Sequence, residues 1–293
     1  MTGLIAIALA VIGIAIVKAT PLAYASLGGV VSENSGVINI GLEGMMAIGA
    51  FSAVLASYAT HDVAAGVGAA AIAGAIAGLT LAYFAVTLRA DQIVVGMGIN
   101  VLGISGAAYL LTVAYGQPGA SPEVASFETL PAIARFSPVI LVALLAIVIH
   151  VVLYRTRTGL RLRAVGEEPW AAAAAGIHVI RVRYVATVIG GVLAALGGAY
   201  LSVGELDLYS DGMVAGRGFI ALAAVIFGRW TPLGAIGACI FFGFFSSLQI
   251  LLQRQGVPAE VFQAIPYLAA IVALAGAVGR GRAPAADGKP FEA

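Results

Sequence analysis

Two glutamates and two asparagines lie close together in a short polar segment between long apolar runs. Glu33, Asn34, Asn39 and Glu43 fall within residues 31–46, where glycines and serines also interrupt the apolar sequence. Carboxylates and amides supply hydrogen-bond donors and acceptors, and at membrane depth such groups are costly and often functional. Non-helical backbone at that depth is tolerated only inside protein or beside water. The segment is a candidate pathway for a polar solute; the alternative is an interfacial loop whose glutamates are hydrated.

The same segment predicts the start of a helix. We expect this helix to begin near Ile40, with Asn39 as its cap and Glu43 in its first turn, where a carboxylate suits the helix dipole. Asn100 is a further polar group in an apolar stretch. The candidate pathway residues are Glu33, Asn34, Asn39, Glu43 and Asn100.

A second informative segment is basic and then rich in alanine. Glu168-Pro169 precedes a run of alanines, which predicts a short helix from about Pro169. Gly176 is a natural stop for that helix. A short helix with defined ends between two spans can dock a partner protein. The alternative is that the arginines only mark the cytoplasmic side and the segment is a connector.

Two further segments lie outside the continuous apolar runs. Residues 204–232 start with an acidic loop, continue as an apolar stretch too short to cross a membrane, and turn back near Pro232, which predicts a re-entrant half-helix. The alternative is one bent helix that extends to residue 252. Residues 116–137 form an external loop, which is either a lid or partner contact or a passive connector.

No catalytic constellation is visible in the sequence. The chain has no GxxxxGK[ST] phosphate loop, no HExxH and no GxSxG, and His61, His150 and His178 lie far apart. Its one cysteine, Cys239, lies in an apolar stretch and is expected to pack there. We expect a chain that is not an enzyme, with no catalytic residues, no cofactor and no metal site.

Apolar helices must position these segments, because the chain has few charges. Its 293 residues include 15 Lys plus Arg and 14 Asp plus Glu, and 61% are hydrophobic. A charged fraction of 10%, against about 25% in soluble domains, excludes an ordinary soluble enzyme and a disordered chain. The continuous apolar stretches disfavour a β-barrel, and the net charge of +1 gives no reason to expect a nucleic-acid partner. Ala70, Gly74 and Gly78 form a row of small residues that permits close helix packing.

The uncharged stretches give the number of spans, since a crossing helix needs about 20 residues. They predict an all-α, polytopic membrane protein with about eight full spans and one half-helix at 218–228, in a single domain over residues 1–293. The first span, within residues 2–31, is interrupted by Lys18 and Pro21. The eighth lies between Glu260 and Arg280.

Basic residues of short loops predict the orientation. The densest group of basic residues lies within residues 155–183, which we expect to be a cytoplasmic coupling loop. Residues 280–293 should then be a cytoplasmic tail and residues 116–137 an external loop. The N-terminus is then outside and the C-terminus inside. The arginines of that group are Arg155, Arg157, Arg161, Arg163, Arg181 and Arg183.

Three of these segments together resemble a known family. Residues 32–46, SENSGVINIGLEGMM, resemble the signature of ABC-transporter permeases for nucleosides, within the larger group of branched-chain amino acid and ribose permeases. Residues 164–177 resemble the cytoplasmic coupling segment of that group, and residues 216–230 are similar to its re-entrant segment. The matching positions of the coupling segment are Ala164, Gly166, Glu167, Pro169, Ala171, Ala172, Gly176 and Ile177.

The resemblance implies partners and a location. It implies a cytoplasmic ABC ATPase, a second homologous permease chain and an extracytoplasmic substrate-binding lipoprotein, all at the plasma (inner) membrane of a bacterium. Three alternatives stay open: an ABC permease for branched-chain amino acids or sugars, a secondary transporter with Glu33 or Glu43 as its ion-coupling carboxylate, and a membrane subunit without transport.

Overall fold

The computed structural model describes residues 2–127, 130–131, 135–252, 268 and 282–292. Within these residues the chain is helical. The helices are α1 Thr2–Glu33, α2 Leu42–Thr60, α3 Val63–Ala82, α4 Gln92–Tyr115, α5 Ser137–Arg155, α6 Arg157–Glu167, α7 Pro169–Ala174, α8 Val179–Ala199, α9 Arg217–Phe227 and α10 Pro232–Leu252. Short π-helical stretches, Tyr83–Thr87 and Tyr200–Leu206, extend α3 and α8.

Seven of the described helices are long and apolar enough to cross a membrane. They correspond to seven of the eight predicted spans, and the eighth, between Glu260 and Arg280, lies outside the described residues. The predicted half-helix is α9, an apolar helix of 11 residues. The chain is therefore a multi-pass helical membrane protein.

The first span differs from the prediction of an interrupted segment. Helix α1 is continuous from Thr2 to Glu33 with Pro21 inside it. Lys18 forms an ion pair with Glu205 at the end of α8, so its charge has a partner within the bundle. Neither Lys18 nor Pro21 therefore breaks the helix.

The centre of the bundle is made by helices that approach closely at small residues. A methyl group added at Gly78 on α3 would lie 2.7 Å from the carbonyl oxygen of Thr187 on α8. A methyl group added at Gly74, one turn earlier, would lie 2.5 Å from the carbonyl oxygen of Gly191. The row of small residues predicted on α3 is thus confirmed as a contact between helix backbones.

The loops gather at two ends of the bundle. At one end, the loop after α4 pairs with the segment after α8, since the amide of Ser121 donates to Tyr209 (2.8 Å) and that of Asp211 to Gly119 (2.8 Å). At the other end lie the turn after Glu33, helices α6 and α7, and residues 282–292. This second end carries the site described next.

Candidate transport site and coupling contacts

The polar segment between α1 and α2 is a buried break in the helical backbone. Helix α1 ends at Glu33, and the next residues turn, with Gly36 at a φ of +86°. The turn supplies its own hydrogen bonds: the amide of Gly36 donates to Glu33 (2.9 Å), and the Ser32 hydroxyl donates to Val37 (2.8 Å). Non-helical backbone is thus held inside protein, as the membrane environment requires. We call residues 34–41 the helix break.

Glu43 holds the first turn of α9. Its carboxylate accepts the backbone N–H of Gly216 at 2.7 Å and that of Gly218 at 2.6 Å. Glu43 lies in the first turn of α2, as predicted, and its side chain is buried. It satisfies amides that α9 cannot satisfy itself, and a carboxylate there also suits the dipole of α9.

Glu33 and Asn34 hold the turn that follows α9. The indole N–H of Trp230 donates to Glu33 at 2.5 Å. The amide nitrogen of Asn34 donates to the carbonyl of Trp230 at 2.8 Å and to that of Val30 at 2.7 Å. Side chains at the two edges of the helix break therefore bind the first turn of α9 and the turn that follows α9. We call Glu33, Asn34 and Glu43 the half-helix clamp.

Asn100, and not Asn39, binds the first turn of α2. Helix α2 starts after Gly41 without a side-chain cap, so the prediction that Asn39 caps it is wrong. Asn100 of α4 performs this task instead: its oxygen accepts the amide of Gly44 (2.8 Å), and its nitrogen donates to Ile40 (2.9 Å). Asn39 remains buried and places its amide nitrogen 3.6 Å from the sulfur of Met45.

All five predicted pathway residues are thus buried around the helix break. Most of their polar atoms bind the protein itself, and two acceptors, Glu33 Oε1 and Asn39 Oδ1, have no hydrogen-bond partner among the described residues. Gln92, which sequence reasoning missed, accepts the amide of Ile38 at 2.7 Å. In this conformation these residues hold the helix break and α9 in place.

The predicted coupling loop is folded into two helices. Thr156 caps α6 by accepting the amide of Gly159 (3.2 Å), which is why the basic segment becomes a helix and not a loop. The second helix, α7, begins at Pro169 as predicted, and Gly176 follows it with a φ of +81°. Of the predicted coupling positions, Glu167, Ala171 and Gly176 are exposed, Ala164 and Ile177 are half-buried, and Gly166, Pro169 and Ala172 are buried.

Gly166 brings the coupling segment into contact with the helix break. A methyl group added at Gly166 would lie 2.2 Å from the carbonyl oxygen of Asn34. Only glycine permits this approach, because the Cβ atom of any other residue does not come within 3.0 Å of a carbonyl oxygen. The backbone of α6 is therefore in direct contact with the helix break at this position.

Residues 282–292, the C-terminal tail, add contacts that the sequence did not reveal. The amide of Ala286 donates to the carbonyl of Gly166 (2.9 Å), and Phe291 is buried against Ala172. Arg183, counted in the basic loop, is instead completely buried in α8 and donates to the carbonyl of Lys289 (2.9 Å). No sequence signal pointed to these contacts, because they join positions more than a hundred residues apart.

The described residues form a helical membrane bundle with a broken helix, a half-helix held by buried carboxylates and two short helices at one end. Comparison with known families gives the class of this protein. A family described as "Branched-chain amino acid transport system / permease component" matches residues 4–274, and the chain belongs to this family. It is a membrane permease, a transport subunit and not an enzyme.

Three of the similar proteins are named as permeases of ABC transporters. The chain is 39% identical to the guanosine ABC transporter permease protein NupQ of Bacillus subtilis, over 94% of each chain. It is 37% identical to the nucleoside ABC transporter permease protein NupC of Lactococcus lactis, over 93% of each. It is 33% identical to the putative glucose ABC transporter permease protein TsgC13 of Haloferax volcanii, over 80% of this chain and 75% of the relative. No solved structure matches the chain significantly.

Proposed function

We propose that the chain is the membrane subunit of an ATP-driven importer for nucleosides in a bacterial plasma membrane. The observation that carries this proposal is the identity of 37–39% to a guanosine permease and a nucleoside permease over more than nine-tenths of the chain. Its partners would be a cytoplasmic ABC ATPase, a second homologous permease chain and a substrate-binding lipoprotein outside.

The ATPase would dock on α6 and α7. The exposed residues Ala171 and Gly176 offer the partner a surface of small groups. ATP-driven closure of the partner would move α6. The contact between Gly166 and Asn34 would pass that movement to the helix break and the half-helix clamp.

The substrate pathway would run along the helix break and the half-helix α9. Nucleosides are neutral and carry many donors and acceptors, so the amides and carboxylates of Glu33, Asn34, Asn39, Glu43 and Asn100 suit them. In the described conformation these groups are buried. We expect them to meet substrate when α9 shifts away from the helix break.

A sugar importer is the second candidate, because the permease of Haloferax volcanii is named for glucose. A sugar is also a neutral solute with many hydroxyls, so the same polar groups would serve. An ion-coupled mechanism would need Glu33 or Glu43 to exchange an ion. Their hydrogen bonds to Trp230 and to the amides of α9 give these carboxylates another role.

The test is purification followed by uptake. A tagged chain purified from its native membranes should bring down an ATPase, and cells that lack the chain should lose uptake of labelled guanosine or another nucleoside. Labelled glucose and leucine are the competing substrates. Nucleoside uptake that persists at the wild-type rate in the deletion strain would refute the proposal, and loss of glucose uptake alone would favour the sugar candidate.

A further inference from the structure

The C-terminal tail is packed like an internal segment of the protein. Pro284, Ala286 and Phe291 are buried, whereas the side chains of Ala285 and Lys289 between them are exposed. A tail without packing contacts would not show this alternation of buried and exposed residues. Its buried positions face two parts of the molecule that belong to the proposed coupling route.

The first of these parts is the coupling segment. The amide of Ala286 donates to the carbonyl of Gly166, and that of Ala285 donates to the carboxylate of Glu167 at 3.3 Å. Phe291 packs in an apolar cluster with Val165, Ala172 and Val179. Its ring centroid lies 5.7 Å from that of Trp170 on α7.

The second part is the helix break. A methyl group added at Gly36 would lie 3.1 Å from the carbonyl oxygen of Ala286, and one added at Gly288 would lie 2.7 Å from Cδ1 of Ile38. The tail therefore touches the helix break on one side and α6 and α7 on the other. It packs against both elements beside the place where Gly166 and Asn34 meet.

A buried arginine also binds the tail. The guanidinium of Arg183 is fully buried, and the hydrogen bond that it donates goes to the tail carbonyl of Lys289. Asp287 of the tail interacts electrostatically with Arg183, which stabilises the buried positive charge. Nε and Nη2 of Arg183 and Oδ1 of Asp287 have no direct partner in the described part of the chain. Undocking of the tail would leave Arg183 buried without these partners, which is unfavourable.

We propose that the C-terminal tail is a transmission element, which couples movement of α6 and α7 to the helix break during transport. Phe291 acts as a positioning residue that ties the tail to the coupling segment, and the carbonyl of Lys289 ties the tail to Arg183 beside the helix break. This proposal rests on the proposed function, because it takes the ATPase to dock on α6 and α7.

The test compares docking, ATP hydrolysis and uptake in the complete transporter. Phe291→Ala removes a buried aromatic ring, and Phe291→Leu should restore part of its packing. Arg282→Gln is the matched control, since this tail side chain is exposed. We expect Phe291→Ala to keep membrane insertion, ATPase co-purification and ATP hydrolysis while nucleoside uptake falls about tenfold or more. Phe291→Leu should recover part of the uptake, and Arg282→Gln should match the wild type.

A labelling experiment reports on the tail without any partner. In a Cys239→Ala background, Ala286→Cys should react with a maleimide about tenfold or more slowly than Ala285→Cys, since exchange at a buried site requires local opening. Equal rates would show that the tail is not docked and would overturn the proposal. So would wild-type uptake in Phe291→Ala, or loss of ATPase co-purification, which would make the tail a part of the docking surface only.

The two proposals fail in different ways. If no ATPase accompanies the wild-type chain, the proposed function fails and transmission fails with it, whereas the labelling rates still report tail docking. If the wild-type complex transports nucleosides and a chain that lacks residues 284–293 does so equally well, only the tail proposal fails.

Discussion

The contact between Gly166 and the helix break gives a sharp prediction, since it involves backbone on both sides. In Gly166→Ala the new methyl group would lie 2.2 Å from the carbonyl oxygen of Asn34 and 2.9 Å from its carbonyl carbon. No flexible side chain can move aside, so α6 or the helix break must shift by about 1 Å to reach ordinary contact distance. Gly166→Ala therefore changes the distance between the two elements that the proposed mechanism couples.

The size of the effect can be estimated from two opposing terms. Overpacking a tight site costs about 1–3 kcal/mol, while alanine in place of glycine in a helix favours α6 by up to about 1 kcal/mol. With a mid-range overpacking cost of about 2 kcal/mol, the net loss is about 1–2 kcal/mol, which lowers the population of the native contact by roughly 5- to 30-fold. Uptake should fall within this range, and the protein should still insert and bind the ATPase.

Gly98→Ala is the matched control for this prediction. Gly98 lies in α4, and a methyl group added there meets nothing within 4 Å. The same chemical change should leave uptake unchanged and raise the thermal stability slightly, because helix propensity then acts alone. If Gly166→Ala transports at the rate of Gly98→Ala, with equal thermal stability in detergent, the contact with Asn34 does not transmit movement.

Three further predictions concern the half-helix clamp and the tail. Glu43→Gln exchanges an acceptor oxygen for an amide donor, so α9 loses a charge-assisted hydrogen bond and the free energy of unfolding falls by about 1.5–3 kcal/mol. Asp62→Asn, at an exposed cap, should change the free energy of unfolding far less. Trp230→Phe keeps the aromatic ring but leaves Glu33 without its indole donor; we expect reduced stability and uptake, and unchanged values would remove this contact from the account. Tail docking should be tighter near about pH 5 than near about pH 8, so the labelling rate of Ala286→Cys divided by that of Ala285→Cys at the same pH should be lower near about pH 5; an equal ratio at both pH values would contradict the burial of Asp287 in the docked tail.

The direction of this pH dependence follows from Asp287. Burial raises its pKa from the usual 3.8 to about 7 in the docked tail, although the charge of Arg183 lowers it again in part. Between these values the undocked tail is ionised while the docked tail still holds a proton. Docking is therefore strongest below about pH 4, weakens as the pH rises towards about 7, and then levels off. The charged groups that face Asp287 are Arg183 of α8 and Glu33 of α1.

The described spans, the short helix α7 and the half-helix α9 could be predicted from the sequence because their signals are local. Apolar length marks the seven described spans, and Pro169 and Gly176 mark the ends of α7 because each acts within its own turn. The clamped half-helix was visible as an apolar stretch too short to cross. These features depend on neighbouring residues alone.

The contacts that organise the site depend on residues far apart in the chain. Asn100 caps α2 from α4, and Trp230 donates to Glu33 across nearly two hundred positions. Local pattern suggested Asn39 as the cap, but a polar residue of another helix took that position. Arg183 looked like one more cytoplasmic arginine, and only the folded chain shows it buried beneath the tail.

Uptake by the purified complex in proteoliposomes tests the central claim most directly. The account predicts that labelled nucleoside accumulates only when ATP is present on the side of α6 and α7, and that labelled glucose and leucine do not accumulate. Nucleoside accumulation driven by an ion gradient without ATP, or accumulation of glucose alone, would contradict it.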